Sequence, residues 1–275
     1  MLNAFCVDLE DYYQANHLGI VFHEWQRFES RASLGTLRIL ALMRKHGIRG
    51  TFFVVGYIAE KQPKLIQKIV EDGHEIACHT YTHRMLHEHD VRSLKAELER
   101  TLHLLRACSG GQPVDGFRAP SWSLVEETFW ALDVLRSLGI KYDSSMLPCQ
   151  RVLFLKGIPT MPCVPHRLAN GLMEFPVSMA NMGRIWIPFS LAGVFRLMPF
   201  AVSSYMIRRF HRINNAPVVM NIHPWDLDEK QPRLQLSSAK HLLHYGGRKT
   251  VECKLDQLFR AFRFGRIRDV LRETE

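Results

Sequence analysis

Short apolar runs alternate with amphipathic stretches along the first half of the chain. Asn3 to Val7 reads as an apolar strand. Thr51-Phe52-Phe53-Val54-Val55 is β-branched and aromatic, the composition that fits a pleated, buried surface. Leu34 to His46 has helical spacing at Leu37, Leu40, Ala41 and Arg44, and Gly47 is a natural C-terminal stop. Pro63 opens a helix that runs to Asp72, with Gly73 behind it. The segment from Gly73 to Cys78 reads as a short buried strand. Val91 to Ala107 is a long amphipathic helix, Asp115 to Arg118 a short strand, and Glu126 to Leu138 another helix. Ile140 to Tyr142 is a strand ending at Asp143. Strands and helices in strict alternation argue for a parallel sheet or barrel.

The pattern weakens from Leu147 to Met173, where prolines at 148, 159, 162 and 165 mark a long loop. Glu174 to Val177 is extended. Trp186 to Arg212 is apolar and mostly helical, broken by Pro188 and Pro199. Val218 to Ile222 is a late strand ending at His223, and helices follow at Ser238 to His244 and Val251 to Phe264. No repeat, low-complexity tract or linker interrupts the chain. The expectation is a single domain over residues 1–275, with a helical C-terminal extension over 227–275.

Composition supports a packed fold. At 275 residues and 47% hydrophobic, the chain can bury a full core and falls in the range of one α/β barrel. Six cysteines lie scattered without a Cys-x-x-Cys pair. Cys6 and Cys78 sit inside expected strands as small buried hydrophobes. A bridge between Cys149 and Cys163 needs an oxidising compartment. The N-terminus has no basic region followed by a long apolar run, and no stretch reaches the length of a membrane span. These features predict a cytoplasmic protein with reduced thiols.

The net charge of +9 is concentrated late, at Arg208, Arg209, Arg212, Arg260, Arg263, Arg266, Arg268 and Arg272. It reads either as a solvated surface or as attraction to an anionic partner such as acidic polysaccharide, lipid phosphate or a membrane surface. No nucleic-acid-binding motif is present, so nucleic acid is not an expected partner. The segment from Trp186 to Ile207 is apolar, but its prolines and Arg196 argue against a span. It either covers the barrel or lies along a membrane surface near a lipid-linked substrate, which would put the protein at the inner face of the membrane.

The chemistry is carried by strand ends. His79-Thr80-Tyr81-Thr82-His83 directly follows an expected strand, and imidazoles four residues apart share one face of a helical turn. Other strands end in Asp8, Glu10 and Asp11, in Arg118, in Asp143 with Ser144, and in His223. In a parallel barrel all these ends share one rim. Two imidazoles and one carboxylate leave an open position on a divalent metal, the pattern of a catalytic site. Zinc is the first choice for nitrogen and oxygen ligands. A second carboxylate then serves as base, an arginine holds it ionised, and a histidine protonates a leaving amine. Metal-assisted hydrolysis of an amide or ester uses all of these parts.

The motifs together resemble the polysaccharide deacetylases, the NodB-homology or carbohydrate esterase family 4 proteins. His79-Thr80-Tyr81-Thr82-His83 is similar to the family's metal-binding motif. Arg118-Ala119-Pro120-Ser121-Trp122 resembles the motif whose arginine tethers the base. Tyr142-Asp143-Ser144-Ser145 resembles the groove-lining motif, and Ile222-His223-Pro224-Trp225 the motif whose histidine is the general acid. The first motif departs from the family's adjacent aspartates: here the run is Val7-Asp8-Leu9-Glu10-Asp11. By analogy Asp8 is the base, and the metal carboxylate is Glu10 or Asp11. In an extended segment Asp8 and Glu10 point the same way, whereas a turn after Leu9 frees Asp11.

The resemblance implies a distorted (β/α) barrel of TIM-like type and N-deacetylation of a polysaccharide or its lipid-linked precursor. The late portion, His223 to Asp226 with Phe262-Arg263-Phe264, is similar to members encoded beside exopolysaccharide systems. Trp122 and Trp225 are candidates to stack on sugar rings or to pack in the core. Asp226, three residues past His223, is a candidate to tune it. Rival readings are an allantoinase-like amidohydrolase on a small cyclic amide, a non-catalytic carbohydrate-binding protein on the same scaffold, and a basic membrane-surface adaptor.

Overall fold

The computed structural model describes residues 1–148, 161–183 and 185–274. Cys149, with its possible bridge, and much of the expected proline-rich loop lie outside the described residues. The first half alternates as its pattern predicts, with one short helix (α2) added: β1 (Leu2–Leu9), α1 (Ala32–Lys45), β2 (Thr51–Val54), α2 (Gly56–Lys61), α3 (Pro63–Glu71), β3 (Glu75–Cys78), α4 (Val91–Cys108), β4 (Gly116–Phe117), α5 (Trp130–Ser137) and β5 (Tyr142–Asp143). The second half is less regular: β6 (His166–Arg167), β7 (Met173–Glu174), β8 (Ala180–Asn181), β9 (Trp186–Ile187), α6 (Ala192–Leu197), α7 (Phe200–Asn214), β10 (Val219–Ile222), α8 (Ser238–Tyr245), α9 (Val251–Ala261), β11 (Arg263–Gly265) and α10 (Ile267–Thr274).

The main sheet runs β10-β1-β2-β3-β4-β5-β7-β6. Every pair along it is parallel except β6 with β7. Ala4 pairs with Val219 on one edge of β1 and with Gly265 on the other, so β11 continues the edge that β2 occupies further along. The sheet curls into a distorted (β/α) barrel. Strand residues alternate between two clusters, as a period of two requires. Phe5, Val7, Phe52, Val54 and Ile76 face the covering helices, while Ala4, Cys6, Phe53 and Ala77 face inward. Ile267 and Val270 of α10 belong to the inward cluster, and Ile267 N–H donates to Thr51 Oγ1 at the start of β2. The last helix therefore plugs the barrel at the end where the strands begin, leaving the opposite rim for the polar groups.

The structure corrects several local expectations. The helix expected over Glu126–Leu138 is a 3-10 turn at Glu126–Thr128 followed by α5. The segment from Trp186 opens as a strand and becomes helical only at Ala192. The helix expected to reach Phe264 stops at Ala261, because Arg263–Gly265 pairs with β1. Two-residue strands carry too little pattern to be read from sequence. Among the described residues no helix is long and apolar enough to cross a membrane. One glycine bears directly on the rim: a Cβ on Gly35 of α1 would sit 1.9 Å from Pro224 O, so α1 can press against the turn after His223 only without a side chain there.

Candidate metal centre and catalytic groove

The expected helical turn at His79–His83 is not what brings the two imidazoles together. The segment is an irregular turn, with Thr80 at φ 56° and His83 at φ 54°, both left-handed. Strain of this kind persists only where surrounding contacts over-determine it. Here they do. His79 Nδ1 bonds Arg118 O at 2.7 Å, and His83 Nδ1 bonds Gln14 O at 3.0 Å. Facing carbonyls, both Nδ1 atoms carry the hydrogen, so both Nε2 lone pairs are left for a cation. Burial pushes the His79 imidazole down to about 4, which keeps it neutral near pH 7.

Glu10, not Asp11, shares this cluster. Ligand atoms of Glu10, His79 and His83 all lie within 4.8 Å of one another, and all three residues are buried. Glu10 Oε2 lies 2.8 Å from His83 Nε2 yet has no hydrogen-bond donor. Two lone pairs at that distance need a positive charge between or beside them. This orphaned carboxylate oxygen, facing neutral imidazole nitrogens, fits a divalent cation. Burial would raise the Glu10 carboxyl; positive charge at this position, which His83, His223 and His79 supply only when protonated, outweighs it and holds the carboxyl down to about 2. Asp11 faces elsewhere. Its carboxylate accepts from Ser30 Oγ at 2.6 Å and from the Arg31 and Ala32 N–H groups at the start of α1. It caps that helix, so its candidacy as a ligand does not survive the geometry.

Asp8, one residue before the end of β1, lies beside the cluster. Its Oδ1 accepts from Arg118 Nη1 at 2.7 Å and its Oδ2 from Asn221 Nδ2 at 3.0 Å. Arg118 is fully buried, and it is fixed at every edge. Nη1 also reaches Asn221 Oδ1, Nε donates to Ser144 O, and Nη2 donates to Ser144 Oγ. The guanidinium lies 4.0 Å from the Phe53 ring centroid. Asn221, on β10, is not legible in the sequence, because an asparagine inside an apolar strand has no spacing signal.

Asp143 and Ser144 do not line the groove, contrary to expectation. Both are 0% exposed. Ser144 sits beneath Arg118 and passes its own hydroxyl hydrogen to Phe175 O. Asp143 Oδ1 accepts from Ser145 Oγ, which in turn accepts the Ala119 N–H. Burial raises the Asp143 carboxyl, and burial with the neighbouring Asp143 raises that of Glu174. These residues support the floor of the site.

His223 approaches from the other side. Its Nε2 lies 3.4 Å from Glu10 Oε1 and 3.9 Å from Asp8 Oδ2. Its Nδ1 is 3.0 Å from Asp226 Oδ2, and Arg196 Nη1 bonds Asp226 Oδ1 at 2.5 Å. Burial alone would push the His223 imidazole down; Asp226, Glu10 and Asp8 outweigh it and raise it above its ordinary value. Burial would raise Asp226, but Arg196 and His223 hold its carboxyl well below the usual range. The tuning role anticipated for Asp226 has its geometry here. Arg196, 30 residues away in sequence, was legible only as an obstacle to a membrane span.

Trp225 is not free to stack on a sugar. It is buried, with His223 on one face at 4.5 Å and His244 on the other at 4.9 Å. Its indole N–H donates to Glu10 Oε1 at 3.1 Å. Trp122 remains partly exposed at the rim, with Arg118 4.7 Å from its ring centroid. Ser121 and Trp122 are both left-handed, at φ 53° and 57°. Asn16 Nδ2 ties the loop after β1 to Ser121 Oγ.

Residues 25–142 match the family model for polysaccharide deacetylase, and residues 144–272 match that of a domain of unknown function (DUF3473). The chain is 30% identical over 121 residues to a peptidoglycan-N-acetylglucosamine deacetylase of Bacillus cereus, covering 40% of this chain and 44% of the relative. It is 34% identical over 97 residues to a chitooligosaccharide deacetylase of Rhizobium leguminosarum, covering 35% of this chain and 42% of the relative. The chain thus spans less than half the length of these curated relatives. In fold it is similar to a Mycobacterium smegmatis protein assigned to the polysaccharide deacetylases, with TM-score 0.66, 20% identity, and coverage of 98% of this chain and 88% of that one. It is also similar to a carbohydrate esterase family 4 pseudoenzyme from Bacillus anthracis, with TM-score 0.54, 14% identity, and coverage of 98% and 65%. The segment that matches the polysaccharide deacetylase model, residues 25–142, supplies β2 to β4, both histidines and Arg118.

Proposed function

We propose that this protein hydrolyses N-acetyl groups from amino sugars of a polysaccharide, with an exopolysaccharide or its precursor as substrate. One observation supports this above the others: Asp8 and His223, each fixed by its own buried arginine-bearing network, both border the Glu10–His79–His83 cluster. That is a base and an acid on either side of one cation site. Glu10, His79 and His83 would hold the metal, zinc by the preference of its donor set, which supplies Lewis acidity that lowers the pKa of a water and polarises a carbonyl.

The chain's own residues account for the proton traffic. Asp8, paired with Arg118, accepts a proton from the attacking water as its oxygen adds to the acetyl carbon. Asn221 keeps the second Asp8 oxygen in place. His223, whose imidazole Asp226, Glu10 and Asp8 raise against burial, gives its Nε2 proton to the nitrogen as the C–N bond breaks. Acetate and the free amine are the products. The Phe53 and Trp122 rings both lie against the guanidinium of the Arg118–Asp8 pair, 4.0 Å and 4.7 Å from it.

In this reading both halves act as one domain, since His223, Asp226 and Asn221 come from the part beyond residue 144 and complete a site begun in β1 and β3. The names of the two curated relatives favour N-acetylglucosamine-containing polymers or oligomers over a small amide. Acetate release from defined N-acetylated oligosaccharides, measured against allantoin with and without chelator, tests the proposal. Release from the oligosaccharides alone, abolished by chelator and by Asp8→Asn, is expected. Turnover of allantoin in their place, or full activity of the Asp8→Asn variant, overturns it.

A further inference from the structure

Between Glu174 and Asp226 the sequence holds five arginines and no acidic residue. That stretch includes α7 and the β8–β9 hairpin packed on it, Arg209 Nε donating to Asn181 O at 3.2 Å. Ser203, Met206, Ile207 and Phe210 form the buried side of α7. On the opposite side, at helical spacing, stand Val202, Tyr205, Arg208, Arg212 and Ile213, all exposed. Tyr205 and Ile213 are 52% and 59% exposed, too much for side chains that merely rim a core. Met182 and Ile185 at the tip of the hairpin are exposed as well.

At the C-terminal end of this face is a cleft of about 460 Å³, bordered by Arg208, Arg212, Arg263, His211 and Phe262. No acidic residue borders it, and none of its three arginines has an ion-pair partner among the described residues. The Arg208 guanidinium rests 5.1 Å from the Phe262 ring centroid, and His211 Nε2 is anchored 2.7 Å from Asn3 Oδ1. Arg263 belongs to β11 and Asn3 to β1 near its start, so the cleft lies at the end of the barrel opposite Asp8 and Glu10.

We infer that α7 and the β8–β9 hairpin form a peripheral docking face for an anionic lipid bilayer, with the cleft receiving a phosphate-bearing headgroup. The charge on the face is wholly cationic, which complements phosphate. The interleaved Val202, Tyr205 and Ile213 favour a lipid interface over an acidic polysaccharide, because they gain only where they enter an apolar layer. Docking by this face leaves the catalytic rim open to a polymer in solution. The inference does not depend on the deacetylase reading, since none of these residues belongs to the site.

The test is co-sedimentation of the full chain with vesicles of phosphatidylcholine alone and of phosphatidylcholine mixed with phosphatidylserine, at low and high salt. Binding to the mixed vesicles at low salt, weakened by high salt, is expected. The Arg208→Ala, Arg212→Ala and Arg263→Ala substitutions should each weaken it about fivefold and together nearly abolish it. Tyr205→Ser with Ile213→Ser should weaken it even at low salt. The circular-dichroism spectrum should stay unchanged in all of them, which reports that they fold, and so should acetate release from a soluble oligosaccharide. Equal sedimentation of wild type and the triple variant, or no binding to the mixed vesicles, overturns the inference. So does binding to an acidic polysaccharide through the same arginines without vesicle binding.

Discussion

Trp225 donates its indole N–H to Glu10 Oε1 at 3.1 Å while its ring lies flat against His223 at 4.5 Å. One side chain from the late turn thus orients both a candidate ligand and the candidate acid. Trp225→Phe should keep the stack and lose the donor. Outer hydrogen bonds of this type are worth about 10- to 100-fold in metal affinity. Competition against a chelating dye should show a loss of that size in a protein that still folds. Unchanged affinity would mean the indole N–H only satisfies a packing need.

Glu10 and Asp11 are neighbours with different tasks, and substitution should separate them. Glu10→Gln should remove bound metal at ordinary concentrations. Asp11→Ala should retain it and lose the cap on α1, at about 1–2 kcal/mol of stability. Metal content by elemental analysis, with unfolding measured in chelator, distinguishes the two. Metal lost from Asp11→Ala but kept by Glu10→Gln would reverse the assignment.

The pH profile should report on Asp226. His223 must be protonated to donate, so turnover falls as pH rises through its folded pKa. Asp226 raises that pKa, and Asp226→Asn removes the carboxylate charge. The alkaline limb of the profile should therefore move to lower pH. The stability linkage has the same sign. A raised histidine stabilises the fold fully below its ordinary 6.5, and this is lost as pH rises through the folded value. That increment should shrink in Asp226→Asn. The variant also leaves Arg196 buried without its partner, at about 3–5 kcal/mol. An unshifted alkaline limb would remove His223 as the acid.

Asn221 bridges Arg118 and Asp8 without touching the metal cluster. Asn221→Ala removes hydrogen bonds to two buried charged groups, about 1.5–3 kcal/mol each by general experience. Turnover should fall roughly 10- to 100-fold by that scale, with metal content and KM unchanged. A loss of metal instead would make Asn221 a structural support of the cluster.

The strand ends are legible in the sequence because a buried parallel strand is apolar to its last residue. Asp8, His79, Arg118 and His223 stand out where that pattern breaks. The local form of the motifs is not legible there. A helical turn is the simplest way to bring His79 and His83 together, yet the chain uses two left-handed residues instead. Spacing reports which residues are near in sequence, not which backbone path joins them. The groove-lining roles expected of Asp143 and Ser144 meet buried positions, and Trp225 takes the core alternative, for a related reason: a polar or aromatic residue at a rim can face solvent or the floor beneath it.

By itself the sequence determined the alternation of strands and helices, the rim on which the chemistry falls, and the residue types available there. Those follow from periodicity and side-chain chemistry, which are local properties. Only the tertiary structure decided that Glu10 joins the histidines while Asp11 caps a helix. It likewise decided that Asn221 and Ser144 lock Arg118, and that Arg196 and Trp225 hold Asp226 and Glu10. Each of those depends on contacts between segments up to 215 residues apart. A carboxylate's role is set by the donors that surround it, and folding alone brings those donors to it.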